Sequence, residues 1–502
     1  MTTKYVKAGI APLLLATLLI GCADKSGSDN AASSSAAGSA STTATASAEA
    51  SKKPDPVKIV IAHTQGEWMW PALDKLGQEW HERTGNTVEF QYVPTANYTT
   101  WINAQLVAGT APDIFWGGVD SPSDKLKNGQ IIDLKSYFDE VSPYTGAPMR
   151  DSFLDGVLQG VVDATQGDAM IGMPLSMTTV DLYYNKTIFK ELGLPDQAPG
   201  TWSEVLATAD KIKSSGKDIV PFSVMNSMPW NLGWMVGDAM EDLWSNSGIV
   251  EKLDIMTPNG MLDFPEVVLG VKTGVIDPQD QRFVDYYKLL KDLSPYFNKG
   301  FNAASWEYEK LFNEGNAAME LNGSWYPNQV LSNKIEVDYG VGPVPYIDSG
   351  VSSTSRNQPM KYALGVGGPD MIVSARAQKE GRADAAVDFL RFLSDPATGG
   401  KEFIAQTMFI PTIKNVEVPA QLQNIVANIG TDVRKANMSQ IFSLTPDAGT
   451  KYNDMLNAYL LGKSTPEEFA KRVKPLIVDA ADQIIKEQPD LKISDYVSQV
   501  TK

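Results

Sequence analysis

Cysteine occurs once and histidine twice in the 502 residues of this chain. Those scarcities exclude a disulfide framework, a thiolate zinc site and a Cys-x-x-Cys redox pair, all of which need more of one or the other. Positive charge is also short: 43 Lys and Arg stand against 60 Asp and Glu, a formal net charge of −17. No nucleic-acid partner is expected, because phosphates are held by a basic face. Membrane-spanning runs are lacking too. The apolar run Ala8 to Ile20 falls short of the about 20 residues that a helix needs to cross a bilayer. Aromatic surface, by contrast, is plentiful, with 11 Trp, 18 Tyr and 17 Phe in a chain that is 43% hydrophobic and 21% charged. The balance is that of a soluble folded protein with mass enough for two lobes.

The N-terminus reads as an export signal. Lys4 and Lys7 precede the apolar run, which leads into Leu19-Ile20-Gly21-Cys22. This order of charged, apolar and small residues is that of a secretory signal, and its last four residues resemble the lipobox of bacterial lipoproteins. The resemblance implies a signal peptide over 1–21, cleavage before Cys22 and lipidation of that thiol. The protein is then expected outside the cytoplasm, anchored to the bacterial cell membrane by its N-terminal lipid. Residues 22–56 are mostly Ser, Ala, Thr and Gly, closed by Lys52-Lys53-Pro54-Asp55-Pro56. Such a composition has no core to bury and predicts a disordered tether, spanning about 30 Å as a flexible coil.

From Val57 the pattern alternates between strand and helix. Val57 to Ile61 reads as a buried strand. Pro71 marks a first helical turn, Leu73, Leu76 and Trp80 one helical face, and Gly85 a stop. Val88 to Val93 alternates as a strand, a helix follows over about Asn97 to Gly109 with Trp101, Ala104, Gln105 and Ala108 on one side, and Asp113 to Trp116 is a third strand. Units of this length predict an α/β fold on a parallel sheet, with ligands beyond the C-terminal ends of the strands. That rule points to His63 to Trp70 and to Trp116 to Asp120. Further strands are expected at Leu182 to Asn185, Val220 to Val224 and Ala317 to Leu321. Thr201-Trp202-Ser203-Glu204 and Thr465-Pro466-Glu467-Glu468 read as helix caps, and Ala385 to Leu393 as a helix.

Several stretches resemble the extracellular solute-binding proteins of bacterial ABC importers, in the group that carries sugars and oligosaccharides. They are Trp80 to Gly85, Ala108-Gly109-Thr110-Ala111-Pro112-Asp113-Ile114, Met173-Pro174 with Leu182 to Lys186, Leu192-Gly193-Leu194 with Thr201-Trp202, Phe312 to Met319 with Gly323-Ser324-Trp325, Ala385 to Leu390, and Ile410-Pro411-Thr412. They stand in the family's order. The resemblance implies a two-lobe, type II periplasmic-binding-protein-like fold, with parallel-sheet cores, hinge-linked lobes and C-terminal helices. One lobe would hold 57–172 plus 364–412, the other 173–363 plus 413–502. The chain would cross between them near Met173-Pro174, Tyr362 to Gly368 and Pro411 to Lys414. The expected partners are a carbohydrate, most simply an oligosaccharide, and the importer's permease subunits. The protein itself is expected to be a monomer, without cofactor or metal.

Sugar rings present apolar C–H faces and a rim of hydroxyls, so a site for them pairs aromatic planes with carboxylates, amides and hydroxyls. Candidate contacts are Gln65, Glu67 and Trp68 after the first strand, Trp116 and Asp120 after the third, Trp230, then Trp325 and Tyr326, with Gly367 and Gly368 offering backbone. Trp234 and Trp244 fit packing better. Enzymatic signatures fail on spacing. His81-Glu82 lacks the second His of a zinc motif, Gly85 standing in its place, and Asp370 occupies the last glycine of a dinucleotide fingerprint begun at Gly365. His63 at a strand end reads as packed, and no catalytic residue is expected. The abundant acids leave open a surface glycoside hydrolase or lyase working through a carboxylate pair; a ligand-sensing lipoprotein partner of a membrane kinase is the other alternative.

Overall fold

The computed structural model describes residues 55–64, 66–119, 121–163, 166–227, 232, 243–244, 247–303, 305–359, 370–427, 429 and 438–500, with the backbone alone at Trp68 and Ala96. Cys22 and the tether before residue 55, Gln65, Asp120, Trp230, Trp234, Gly367, Gly368 and the expected crossing at Tyr362 to Gly368 lie outside the described residues.

The first sheet is built as the alternation predicts. Strands β1 (Lys58–His63), β2 (Thr87–Tyr92) and β3 (Ile114–Trp116) are separated by helices α1 (Trp70–Thr84) and α2 (Thr95–Ala108). β1 lies parallel to β2, from Lys58 opposite Thr87 to His63 opposite Tyr92, and parallel to β3 on its other side. Pro71 occupies the first turn of α1, where its missing N–H costs nothing. Leu73, Leu76 and Trp80 are buried, and Gly85 ends the helix at φ +80°. In α2 the buried face differs from the expected one. Tyr98, Ile102 and Leu106 point inward, while Ala104 and Ala108 are exposed. The larger side chains at i, i+4 and i+8 bury more apolar area than the alanines, and that sets the rotation of the helix.

The chain continues through β4 (Ser176–Met177), β5 (Val180–Asn185), α3 (Trp202–Ser214), α4 (Phe264–Thr273), α5 (Gln281–Leu293), α6 (Glu307–Asn313), β6 (Met319–Gly323), α7 (Tyr326–Ser332) and β7 (Tyr339–Pro343). It then supplies β8 (Met371–Val373), α8 (Ala383–Leu393), α9 (Gly399–Thr407) and β9 (Ile410–Pro411), and closes with α10 (Pro446–Leu461) and α11 (Pro466–Glu487). β8 joins the first sheet antiparallel to β3, giving the order β8-β3-β1-β2. Side chains alternate across that sheet with the strand period of two. Ile114, Trp116, Met371 and Val373 face one core with Leu73 and Phe389. Phe115 and Ile372 face the other with Tyr98 and Ile102.

The second sheet has β5 at its centre, antiparallel to β6 and β7. The segment expected as a strand at Val220 to Val224 adds its parallel component as single bridges, Val220 to Ala317 and Ser223 to Glu320. Outside this sheet α5, α10 and α11 bury a ring cluster, with Tyr459 stacked on Phe469 at 4.4 Å and Phe442 on Tyr452 at 4.0 Å. Both capping boxes form, at Thr201 with Glu204 and at Thr465 with Glu468. Trp244 packs in this interior against Phe283, with Arg282 over its face.

Three chain passages meet between the sheets. Met173 bridges Met371, β4 pairs with β9, and the Thr412 hydroxyl donates to the Pro174 carbonyl at 2.9 Å.

Asp113, 1% exposed, anchors the first sheet. Its carboxylate accepts the Val60 N–H at 2.9 Å and the Arg382 guanidinium at 2.8 and 2.9 Å. Asp113→Ala leaves the Val60 N–H without its acceptor and takes from Arg382 its buried partner, leaving it Glu380 alone; breaking a pair of this kind costs about 3 kcal/mol. A lower urea midpoint with an unchanged slope is the expected result.

Candidate functional site

The loops after β1 and β3 and the amino end of α2 enclose a cavity of about 410 Å³. Thr64, Thr95, Tyr98, Thr99, Trp116, Gly117, Gly118 and Asp370 line it, at the strand ends where an open α/β sheet holds its ligands. Gly118 adopts φ +69°, and a Cβ there would press on the Tyr98 ring at 3.1 Å. Glycine therefore brings backbone down onto that ring. The Tyr98 hydroxyl lies 3.4 Å from the Ala62 carbonyl, and burial raises its pKa, so it stays a donor. Trp116 is 9% exposed. Its ring packs on Phe403 of α9 at 6.1 Å, in the core with Met371 and Val373, and the residue also borders the cavity. His63 is buried beside the rings of Phe90 and Tyr92. No Lys, Arg or His stands among the described lining residues.

Asp370 ties this cavity to the passages between the sheets. Its carboxylate accepts the N–H groups of Leu175 and Ser176, each at 2.8 Å, and the Ser176 hydroxyl at 3.3 Å, while its carbonyl accepts Gly117 N–H at 2.9 Å. Burial pushes its pKa up to about 6 against those hydrogen bonds, which favour the ionised form.

A second group of residues gathers where β6 ends. Ser324 and Thr179 exchange two hydrogen bonds, Ser324 N–H to the Thr179 carbonyl at 3.0 Å and Thr179 N–H to the Ser324 hydroxyl at 3.2 Å, and the Thr179 hydroxyl donates to Asp181 at 2.6 Å. Trp325 is half-buried. A Cβ on Gly323 would fall 2.2 Å from its ring, so this glycine seats the indole rather than admitting a ligand to the backbone. Tyr326 is a correction to the expected set. It is fully buried among Tyr183, Tyr339 and Phe312, and its hydroxyl donates to Asn313 at 2.5 Å. With its ring packed and its hydroxyl used, its part is in the core. Beneath these residues the Asn322 amide donates to Glu320 at 3.0 Å and to Glu309 at 3.4 Å. Burial holds both carboxyls above the usual range, and Glu309 pushes Glu320 further. Neither acid reaches solvent freely, so this pair does not present the open acid and nucleophile that glycosidic cleavage needs.

A larger cavity of about 740 Å³, lined by Asp133, Tyr137, Glu140, Asp384 and Arg391, lies toward the opposite ends of β1 and β3. Its charges answer one another: Arg391 reaches Glu140 at 2.6 Å and Tyr137 donates to Asp384 at 3.2 Å. Among the described residues no group of three or more His, Cys, Asp or Glu is placed to hold a metal, and no helix is long and apolar enough to cross a membrane.

Of the expected contacts, Trp116 reaches the cavity, Glu67 is exposed in the 3-10 turn Glu67–Met69 beyond β1, and Trp325 stands at the end of β6. Thr64 falls within the segment His63 to Trp70 that the strand-end rule points to, whereas Thr95, Thr99 and Asp370 were not anticipated. The hydroxyl-rich run Thr95-Ala96-Asn97-Tyr98-Thr99-Thr100 was a usable signal for the threonines. Nothing near Asp370 in sequence marks its partners, which lie some 195 positions away.

The family model for bacterial extracellular solute-binding proteins matches residues 63–399. The chain is 23% identical over 413 residues to the sn-glycerol-3-phosphate-binding periplasmic protein UgpB of Escherichia coli O6:K15:H31 (strain 536 / UPEC), covering 79% of this chain and 86% of that one. Among solved structures, a chitin oligosaccharide binding protein superposes with a TM-score of 0.61 at 20% identity, over 85% of this chain and all of that one. An ABC transporter solute binding protein from Thermotoga lettingae TMO, bound with α-D-tagatose, gives 0.60 at 18% identity over 85% of this chain. At these identities the likeness shows the fold, two lobes of mixed α/β structure.

The raised pKa of Asp370 has a definite sign in stability. Below about pH 4 its carboxyl is protonated folded or unfolded, and its contribution is fully present. That contribution is lost as pH rises through about 6 and the buried carboxyl ionises. Asp370→Asn stays neutral throughout. The wild type should therefore lose on the order of 2 kcal/mol relative to this variant between about pH 4 and 7, read from paired thermal melts; a pH-independent difference would contradict the burial.

Proposed function

We propose, from the premise that this chain belongs to the bacterial extracellular solute-binding proteins, that it captures an oligosaccharide between its two lobes and delivers it to the permease subunits of an ABC importer. Proteins of this family bind and release their solutes and act outside the cytoplasm. One observation carries the saccharide reading. The cavity at the ends of β1 and β3 is lined by Trp116 and Tyr98, by Thr64, Thr95 and Thr99 and by Asp370, with no cation among its described lining residues. Apolar ring faces suit the aromatic residues of the lining, and a rim of hydroxyls suits the threonines and Asp370. A phosphate dianion placed there would face Asp370 without a paired base, which is unfavourable in a partly desolvated site. The sequence between Lys217 and Lys252, which runs on from the bridged segment beside β6, also contains no Lys or Arg. These features favour a neutral sugar over the glycerol phosphate for which the Escherichia coli relative is named.

In this reading one lobe holds 57–172 plus 364–412 and the other 173–363 plus 413–502. Gln65, Glu67, Trp68, Trp116 and Asp120 meet the sugar from the first lobe, and Trp230 and Trp325 from the second. Gly367 and Gly368 contribute backbone at one passage. Closure about the three passages brings the halves together, and the permease reads the closed form. The affinity observed for sugar includes the cost of shifting the open form to the closed one. Cys22 carries the lipid, residues up to 56 act as the tether, and the folded part works as a monomer.

Tryptophan fluorescence titrated with neutral oligosaccharides and with glycerol 3-phosphate tests the ligand class. A sugar should shift the emission, and Trp325→Ala should weaken its binding by about ten-fold or more. Tighter binding of glycerol 3-phosphate than of every sugar would overturn the reading. For the anchor, Cys22→Ser should move the protein from the membrane pellet to the soluble fraction of lysed cells.

A further inference from the structure

Trp306 is 54% exposed, the one aromatic among the large apolar side chains that stand out to solvent in the described residues; the others are Val107, Val141, Leu331, Leu461 and Val497. Single exposed aliphatics need no explanation. An indole left open at this place in the fold is different, because the surrounding hydrogen bonds put it at the ligand end of the second lobe. β6 runs toward that end and delivers Trp325 just beyond Gly323. The segment from Val220 runs parallel to β6, bridged at Ala317 and Glu320, so it also finishes there. Its last described stretch is held by Asn226 N–H on the Phe301 carbonyl at 2.6 Å. α6 runs the opposite way. Near its start the Ser223 hydroxyl donates to the Tyr308 carbonyl at 2.8 Å, and beyond its end Val220 N–H donates to Asn316 at 2.9 Å. The start of α6, where Trp306 is the cap residue, therefore lies at the Trp325 end.

The indole is also supported from behind. Its ring sits 6.0 Å from that of Tyr308, inclined by 34°, and Tyr308 is buried. Three positions along α6, Glu309 hydrogen-bonds Gln329 of α7, the helix that follows Trp325. The two tryptophans thus ride on elements joined side chain to side chain. A backed, wetted indole at the same end as a seated one can extend a row of stacking planes.

We infer that Trp306 is an outer stacking plane of the cleft, contacting a sugar unit beyond those held at Trp116 and Trp325, and that it sets a preference for longer chains. The inference rests on the saccharide reading and adds to it a length requirement and the residue responsible. The loss on removing the plane should fall only on ligands long enough to reach it.

The test is isothermal titration of the full folded protein, wild type, Trp306→Ala and Trp306→Phe, with the mono- to hexasaccharide series of xylose, N-acetylglucosamine and glucose as probes. In whichever series binds, Trp306→Ala should lose about ten-fold in affinity for the longest members and under about two-fold for the shortest bound member. Trp306→Phe should recover most of the loss, since it keeps a ring. Equal weakening at every length, or none at any length, overturns the inference while leaving the saccharide reading intact, as does wild-type binding confined to monosaccharides. Wild-type protein that binds no member of any series removes the saccharide reading and this inference with it.

Discussion

Asp370 accepts two neighbouring backbone N–H groups, Leu175 and Ser176, on one carboxylate, and hands its own carbonyl to Gly117. Those contacts bind together one passage between the sheets, the start of β8, and the loop after β3 that borders the cavity. Backbone donors buried without an acceptor are costly, so the chain at 175–176 has a reason to remain beside residue 370 whatever the two sheets do around it. The pairing of β4 with β9 and the bridge from Met173 to Met371 supply the same kind of constraint with backbone acceptors alone. Pulling these segments apart would strand those hydrogen bonds.

The two halves of the site are made differently because their sheets are. In the first lobe, parallel strands end together, and the amino end of α2 and two glycines close a small polar cavity over them. In the second, the antiparallel pair β5 and β6 puts the beginning of one strand beside the end of the other, Val180 opposite Gly323. That register explains why Thr179 and Ser324 can exchange hydrogen bonds and why Trp325 emerges next to the passage rather than away from it. Behind it, acids that burial keeps from ionising readily, Glu309 and Glu320, are linked through Asn322 to α6 and through Gln329 to α7. A polar network of this kind fixes the relation of two short helices that lack the length to hold themselves.

Local signals were enough for the elements. Pro71 and Gly85 bounded α1, the Thr-x-x-Glu boxes at Thr201 and Thr465 started their helices, and Leu73, Leu76 and Trp80 marked a buried face, because each acts through neighbours within one or two turns. They were less sufficient for orientation. The buried face of α2 centres on Tyr98, Ile102 and Leu106; of the expected set, Trp101 packs in part against the same core while Ala104 and Ala108 are exposed. Tyr326 looked like a partner to Trp325 because it follows it, but α7 begins there and turns the next side chain into the core.

By itself, then, the sequence determined the α/β alternation, the acidic and thiol-poor chemistry, the helix ends, and the family stretches from Trp80 to Thr412, all of which are encoded in short spacings. Only the tertiary structure decided which polar groups share a cavity, that Asp370 rather than a nearer acid ties that cavity to the passages, that Gly323 makes room for an indole, and that the exposed Trp306 lies toward the end of β6. The physical reason is one of range. Periodicity and capping report on residues a few positions apart, whereas burial and hydrogen-bond partners are settled between segments brought together across the whole length of the chain.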